Sequence, residues 1–336
     1  MGFNPATTKY ETFVLRGDGS RYGLNHLIDS LTWQEMDGDM IMRASLTMVN
    51  KHIGAINAWT EHLTPPGAYI FIFANGQEVF RGTVWNHKYN STKGSEKISV
   101  TACDRMVYLS QSKDSYYYPA DQATIDICSQ ICTRWGIDMS YEYYAYSHGK
   151  IVMKNKSLMD QLSEVLTECQ KKNNGRKFVA QFERDVLKIR GQGYNDTVYV
   201  LTGGELNTRS LMSVEMETNL DKLVTRVNVL GKADDEGREP VEATIDGDLT
   251  YGTLQDQIYH DSNKSIDEAR AEAQAIIDEK GKPETNFSVS APDVPFVRKG
   301  HRIRCVFSSE VNGYFYVKSV THNAVDRTMD LKLERA

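Results

Sequence analysis

Tyr69-Ile70-Phe71-Ile72-Phe73-Ala74-Asn75-Gly76-Gln77-Glu78-Val79-Phe80-Arg81-Gly82-Thr83-Val84 is the stretch from which the fold can be read. Two aromatic and β-branched runs flank Asn75-Gly76. That dipeptide supplies the two positive φ angles of a type I′ turn, so the stretch predicts a tight β-hairpin. After a polar loop, Ile98, Val100 and Ala102 alternate with Lys97, Ser99 and Thr101, adding a third strand with one buried face. Residues 12–110 therefore read as strands and turns, an antiparallel meander at their centre.

Near Pro119 the period changes. Ile125, Cys128, Ile131, Cys132 and Trp135 recur at three- and four-residue spacing and predict a helix over 122–135, with Gly136 placed to end it. Ser157 with Asp160 three residues on resembles a capping box. Leu158, Leu162, Val165, Leu166 and Cys169 form the stripe of the helix it opens, and Asn173-Asn174-Gly175 stops that helix. Two short strands, 178–182 and 186–190, complete a small α+β unit ending near Gly193. Residues 211–230 are extended again, and 231–252, rich in Asp, Glu and Gly, read as a solvated loop. Ser265 and Glu268 form a better capping box, opening an Ala-rich helix that runs to about Lys280.

The C-terminal residues repeat the order of the first meander. Lys299-Gly300 precedes a strand around Ile303, Cys305 and Phe307, and Asn312-Gly313 predicts the turn. Tyr314 to Val320 and His322 then lead to Met329, Leu331 and Leu333. Shared turn chemistry explains such an echo, and so does duplication; both readings stand on the residues alone. Duplication would give one chain two nearly equivalent surfaces, so that three copies form a ring of six like units. The expected fold is α+β and β-rich, with two tube-like antiparallel β-barrel domains and an inserted small α+β unit. The boundaries are 1–115 for the first barrel, 116–204 for the insert, and 205–336 for the second barrel, which carries the acidic loop 231–252 and the helix 265–280.

Composition narrows the function. The chain has 336 residues, 40% of them apolar, enough for two or three cores. Its net charge of −6 comes from 39 basic and 45 acidic residues well interspersed, which argues against a nucleic-acid partner. No run approaches the length of a membrane span, and the N-terminus lacks the apolar core of a secretion signal, so synthesis in the bacterial cytoplasm is expected. Cys103, Cys128, Cys132, Cys169 and Cys305 are odd in number and lie mostly within apolar patterns, against a disulfide scaffold.

No reactive constellation emerges. Cys128 and Cys132 are four apart on a helix, but no CxxC or HxxxH supplies the remaining zinc ligands, and both lie on the apolar stripe. Asp234-Asp235-Glu236 and the pair Asp246 and Asp248 read as solvated acidic surface rather than a calcium or hydrolase site. The glycine turns 17–19 and 191–193 lack the helix start and Lys of a phosphate loop, and there is no nucleophile elbow. No catalytic, cofactor-binding or metal residue is assigned. The strongest local feature is Tyr116, Tyr117, Tyr118, Tyr141, Tyr143, Tyr144 and Tyr146, which make up seven of the 18 tyrosines. They read equally as residues facing a core or as an assembly interface, with a sugar-stacking platform a more distant reading.

In Val297-Arg298-Lys299-Gly300, Asn312-Gly313-Tyr314-Phe315-Tyr316-Val317, Thr321-His322 and Asp330-Leu331-Lys332-Leu333, the last fifty residues resemble the tail hub proteins of contractile phages, defective prophages and phage-tail-like bacteriocins, a group related to the phage late control D proteins. Residues 157–162 and 175–178 follow it in the middle of the chain. The resemblance implies a structural baseplate protein rather than an enzyme. It would be a homotrimer whose two barrels, tube-like by this resemblance, form a pseudo-sixfold ring, joining the tail tube or tube-initiator protein to the central spike. Baseplate wedge proteins and the tape-measure protein would be its other neighbours, with no cofactor, no specific nucleic acid and no membrane insertion. A cell-wall-degrading or carbohydrate-binding tail protein is the competing expectation.

Overall fold

The computed structural model describes residues 5–92, 94–203, 212–260 and 264–336. By contact the chain divides into two units, one of Met1–Val214 with Ser288–Ala336 and one of Glu215–Phe287. The larger unit opens with β1 (Tyr10–Leu15), β2 (Arg21–Gly23), β3 (Ile28–Glu35) and β4 (Arg43–Val49). The predicted meander follows as β5 (Tyr69–Ala74), β6 (Gln77–Thr92) and β7 (Ser95–Cys103). Asn75 at φ 50° and Gly76 at φ 79° make the β5–β6 turn, as the dipeptide requires. Alternation puts Ile70, Ile72, Phe80, Val84, Ile98 and Val100 into one core, around Trp33 from β3. Gly82 is dictated by packing, since a Cβ there would lie 2.5 Å from the Cys103 carbonyl oxygen.

The α+β segment lies inside this unit. It comprises α1 (Met106–Gln111), β8 (Lys113–Tyr118), α2 (Thr124–Arg134), β9 (Asp138–Glu142), β10 (Ile151–Ser157), α3 (Leu158–Lys172), β11 (Phe178–Glu183) and β12 (Val186–Gly191). β8 pairs with β10, while β12 lies between a parallel β9 and an antiparallel β11. The Ser157 hydroxyl caps α3 by accepting from the Asp160 amide at 3.0 Å. The stripe of α2 differs from the expected one. Ile127, Cys128, Ile131 and Cys132 are buried, whereas Ile125 is exposed and Trp135 lies beyond the last helical residue, also exposed. Because the helix starts at Thr124, its buried face is Thr124, Ile127, Cys128 and the residues one turn on.

The smaller unit is a three-stranded sheet covered by one helix. β13 (Arg226–Leu230) lies between an antiparallel β14 (Val241–Asp246) and a parallel β15 (Gln255–Tyr259). α4 (Ile266–Lys280) buries Ala269, Ala273 and Ile277 against Val227 and Val229. The Ser265–Glu268 capping box is present in both directions. The segment read as a solvated loop over 231–252 thus contains a strand. Ala243 and Ile245 pack toward the core while Glu242, Thr244 and Asp246 face solvent, a period-two signal masked by its acidic surroundings.

β16 (Glu284–Pro292) ends in the larger unit, and β17 (Arg302–Val306), β18 (Asn312–Asn323) and β19 (Thr328–Arg335) follow as a second antiparallel meander. Asn312-Gly313 is not its turn. Asn312 and Gly313 stand in β18 opposite Val306 and Cys305, and the chain reverses at 307–311, where the Phe307 amide donates to the Val311 carbonyl. The same dipeptide turns the chain in one meander and extends it in the other, because only the first is a two-residue loop. β18 reaches past its own meander, its last residues Val320–Asn323 pairing with Glu35–Thr32 of β3. The two meanders are thereby joined in one sheet of order β16-β19-β18-β3-β4-β7-β6-β5-β1-β2.

Candidate assembly surfaces

The structure separates the seven tyrosines into two groups. Tyr118 is fully buried in the helical core, with burial pushing its phenol up, while Tyr116 and Tyr117 beside it on β8 are exposed. Arg134, at the end of α2, stacks 3.9 Å from the Tyr116 ring and donates to the Tyr118 hydroxyl at 3.2 Å. The second group lies at the other end of α2, where the Tyr146 carbonyl accepts from the Thr124 amide. Tyr141 and Tyr143 are half-buried against the same core, their hydroxyls donating to the carbonyls of Tyr144 and Arg176. Tyr144 is exposed and Tyr146 half-buried, edge-on to His148. An 11-residue helix spans about 16 Å. The cluster therefore combines core residues with two small exposed patches.

Buried polar groups tie distant segments together. Glu35, 3% exposed, accepts from Arg298 at 2.8 and 3.1 Å, from the Lys299 amide at 3.1 Å and from Gln181 at 2.6 Å. Burial alone would raise its pKa, but Arg298 and Lys299 hold it below the usual carboxylate range. This node fastens the end of β3 to β11 and to the start of the second meander. His322 stacks on Trp33 at 4.6 Å, meets Asp293 at 2.6 Å through Nδ1 and approaches the Val297 carbonyl at 3.0 Å through Nε2. Asp293 also accepts from the Tyr10 hydroxyl, and burial together with Asp293 pushes that phenol up.

One arrangement has the order of a hydrolytic triad. The Thr124 hydroxyl lies 2.9 Å from His148 Nε2, and Nδ1 lies 3.0 Å from the Glu168 carboxylate. Thr124 is fully buried and its hydroxyl also meets the Tyr146 carbonyl and amide at 3.1 Å. The geometry holds the chain to the first turn of α2 and presents no hydroxyl to a substrate. Cys128 and Cys132 are core residues of α2, burial pushing both thiols up, that of Cys132 to about 12. Asp246 pairs with Arg226 at 2.6 Å, Asp248 caps the turn at Leu249–Tyr251, and Asp234 accepts from the Glu236 and Arg238 amides. Among the described residues no group of three His, Cys, Asp or Glu could hold a metal ion.

A further concave surface lies elsewhere, on a face whose strands were expected only to form a hairpin. Tyr69, Phe71 and Phe73 of β5 alternate with the core isoleucines and face outward, beside Phe13 and Leu15 of β1. Tyr69 and Phe71, with Tyr108 and Trp135, border a groove of about 610 Å³. A run apolar on both faces was the available signal, since a strand with one wet face would alternate.

The whole chain can now be set beside known proteins. Residues 31–334 match the YQBQ-like family. The chain belongs to that family. A YQBQ-like chain with this fold is similar to a tail protein from Neisseria meningitidis (TM-score 0.71, 12% identity, 96% of each chain covered). It is equally similar to the 43 kDa tail protein of prophage MuSo2 from Shewanella oneidensis (TM-score 0.71, 11% identity, 97% and 98% covered). The prophage tail protein gp18 from Listeria monocytogenes follows at a TM-score of 0.59 and 10% identity, with 96% and 94% covered. No curated protein matches the sequence significantly. The YQBQ-like chain therefore has the fold of phage tail proteins along nearly its full length, the likeness expected from its C-terminal residues. Among the described residues no helix is long and apolar enough to cross a membrane.

Proposed function

We propose that this YQBQ-like chain is a structural baseplate hub of a contractile tail or tail-like injection particle. Three copies form a pseudo-sixfold ring that joins the tail tube or tube-initiator protein to the central spike. Baseplate wedge proteins pack outside, and the tape-measure protein is a further neighbour. The observation that carries this reading is the fold shared over 96% or more of the length of two tail proteins. Two antiparallel meanders of the same strand order support it, each with a bulge in its middle strand, at Val84/Asn86 and Val317/Ser319. Two like modules per chain are what a threefold object needs to meet a sixfold one.

The role is architectural, without turnover. Deleting the gene and examining lysates by electron microscopy tests it: tails should be absent or lack a baseplate, and supplying the chain in trans should restore them. Intact, functional tails from the deletion strain would refute the role. Zymography of the purified chain on bacterial cell walls should show no clearing, and clearing would favour the degrading alternative.

A further inference from the structure

The outward face of β1, β5 and β6 is built like the centre of an interface: Arg21 lies over the Phe13 ring at 4.1 Å and Arg81 over the Phe71 ring at 5.1 Å, while Tyr69 and Trp85 are left exposed among the described residues. Phe13 and Phe73 pack edge-on at 6.0 Å, and Trp85 meets Tyr108 of α1 edge-on at 5.7 Å and 88°. Tyr69, Tyr108 and Trp135, 40, 45 and 44% exposed, line a groove of about 610 Å³, and Trp85, 45% exposed, stands beside Tyr108. Arg81 and Arg105 line the same groove and no lysine does. Aromatic residues and arginine without lysine are the composition of interface cores, not of ordinary wet surface.

The two arginines are not equivalent. Arg81 is committed to Glu78 at 2.8 Å and to Asp185. Arg105 makes no ion pair among the described residues; its contacts are the Asp185 carbonyl at 3.5 Å and the Phe182 ring at 5.8 Å. A half-buried guanidinium with unused donors, set among aromatic rings, selects a carboxylate.

We propose that this groove docks a polypeptide segment of another tail component, one bearing a bulky apolar side chain and, within a few residues of it, an Asp or Glu. The apolar side chain fills the space between Tyr69, Tyr108 and Trp135, and the carboxylate pairs with Arg105. A second copy across a twofold axis would set concavity against concavity and leave the groove empty; a neighbouring copy in the threefold ring is the competing occupant, and a cross-link to it counts against the assignment. A sugar would need rings offered in one plane, and Trp85 and Tyr108 stand perpendicular. The identity of the partner as a tail component rests on the hub reading.

The test uses the full chain in purified particles, with a benzophenone amino acid in place of Tyr108, in place of Trp135, and, as a control, in place of the exposed Val325. After illumination, positions 108 and 135 should cross-link to one segment of a different protein that carries a carboxylate within about four residues, one helical turn. Arg105→Glu should lower that yield by about tenfold or more, Arg105→Lys should retain part of it, and Val325 should give no such product. Each variant is first shown to melt with the parent. Cross-links to another copy of the chain or to a saccharide, yields indifferent to Arg105→Glu, or no product in particles that contain the chain would overturn the groove assignment while leaving the hub reading intact. Absence of the chain from the particles would overturn the hub reading, and this partner with it.

Discussion

Glu35 and Arg298 stand 263 residues apart in the chain and share two hydrogen bonds in the interior. Removing one partner leaves a buried charge, so Glu35→Gln should cost about 3–5 kcal/mol in urea unfolding, whereas replacing both by apolar residues of similar volume should recover most of that. Because Glu35 is held below its ordinary pKa, its contribution is present above the unfolded value and lost as pH falls through the lower folded one. Asp104 has the opposite sign. Burial pushes it to about 7, so the native state keeps a proton that the unfolded chain releases, and its contribution is lost as pH rises to about 7. Asp104→Asn should therefore flatten the loss of stability between about pH 4 and pH 7; an unchanged pH profile would contradict the assignment. Neither effect was legible in the sequence. A lone Glu at a strand end and an Arg before a Gly read as surface charges until the fold brings them together.

At the level of elements, the local signals that succeeded were those whose geometry is fixed by two or three neighbouring residues. Asn75-Gly76 and the Ser265–Glu268 box gave their turn and cap directly. Asn312-Gly313 misled because strand pairing, a non-local condition, decides whether such a dipeptide turns. α1, Met106–Gln111, was missed: at six residues it is too short for its period to stand out from the preceding strand. Two substitutions test the element-level account. Ser265→Ala should cost about 1 kcal/mol of the smaller unit's stability, read from hydrogen exchange in α4. Gly82→Ala must displace both the Cys103 carbonyl, 2.5 Å away, and Phe80, 2.6 Å away, and should cost about 1–3 kcal/mol in thermal unfolding; a neutral result would mean that β6 and β7 can part locally.

For the whole molecule, the proposal is that segments 1–115 and 205–336 are two tube-like barrels flanking the α+β insert 116–204. Its geometric test is superposition: β5-β6-β7 should overlay β17-β18-β19 strand for strand with their bulges aligned, and a mismatch in strand order would remove duplication as the origin of the pseudo-sixfold ring. The seven tyrosines remain a proposed interface only through their exposed members, Tyr116, Tyr117 and Tyr144. What the sequence concealed at this scale is the joining of the meanders through β18 and β3, a non-local pairing that no short stretch of residues announces. On this proposal an isolated chain can still be monomeric, because a tube and a spike that bind only the ring would favour it by mass action. Cryo-electron microscopy of purified particles tests the central claim most directly. The account predicts three copies of this chain in a ring on the tail axis, between tube and spike; its absence from the axial baseplate, or its presence there in any number other than three, would contradict it.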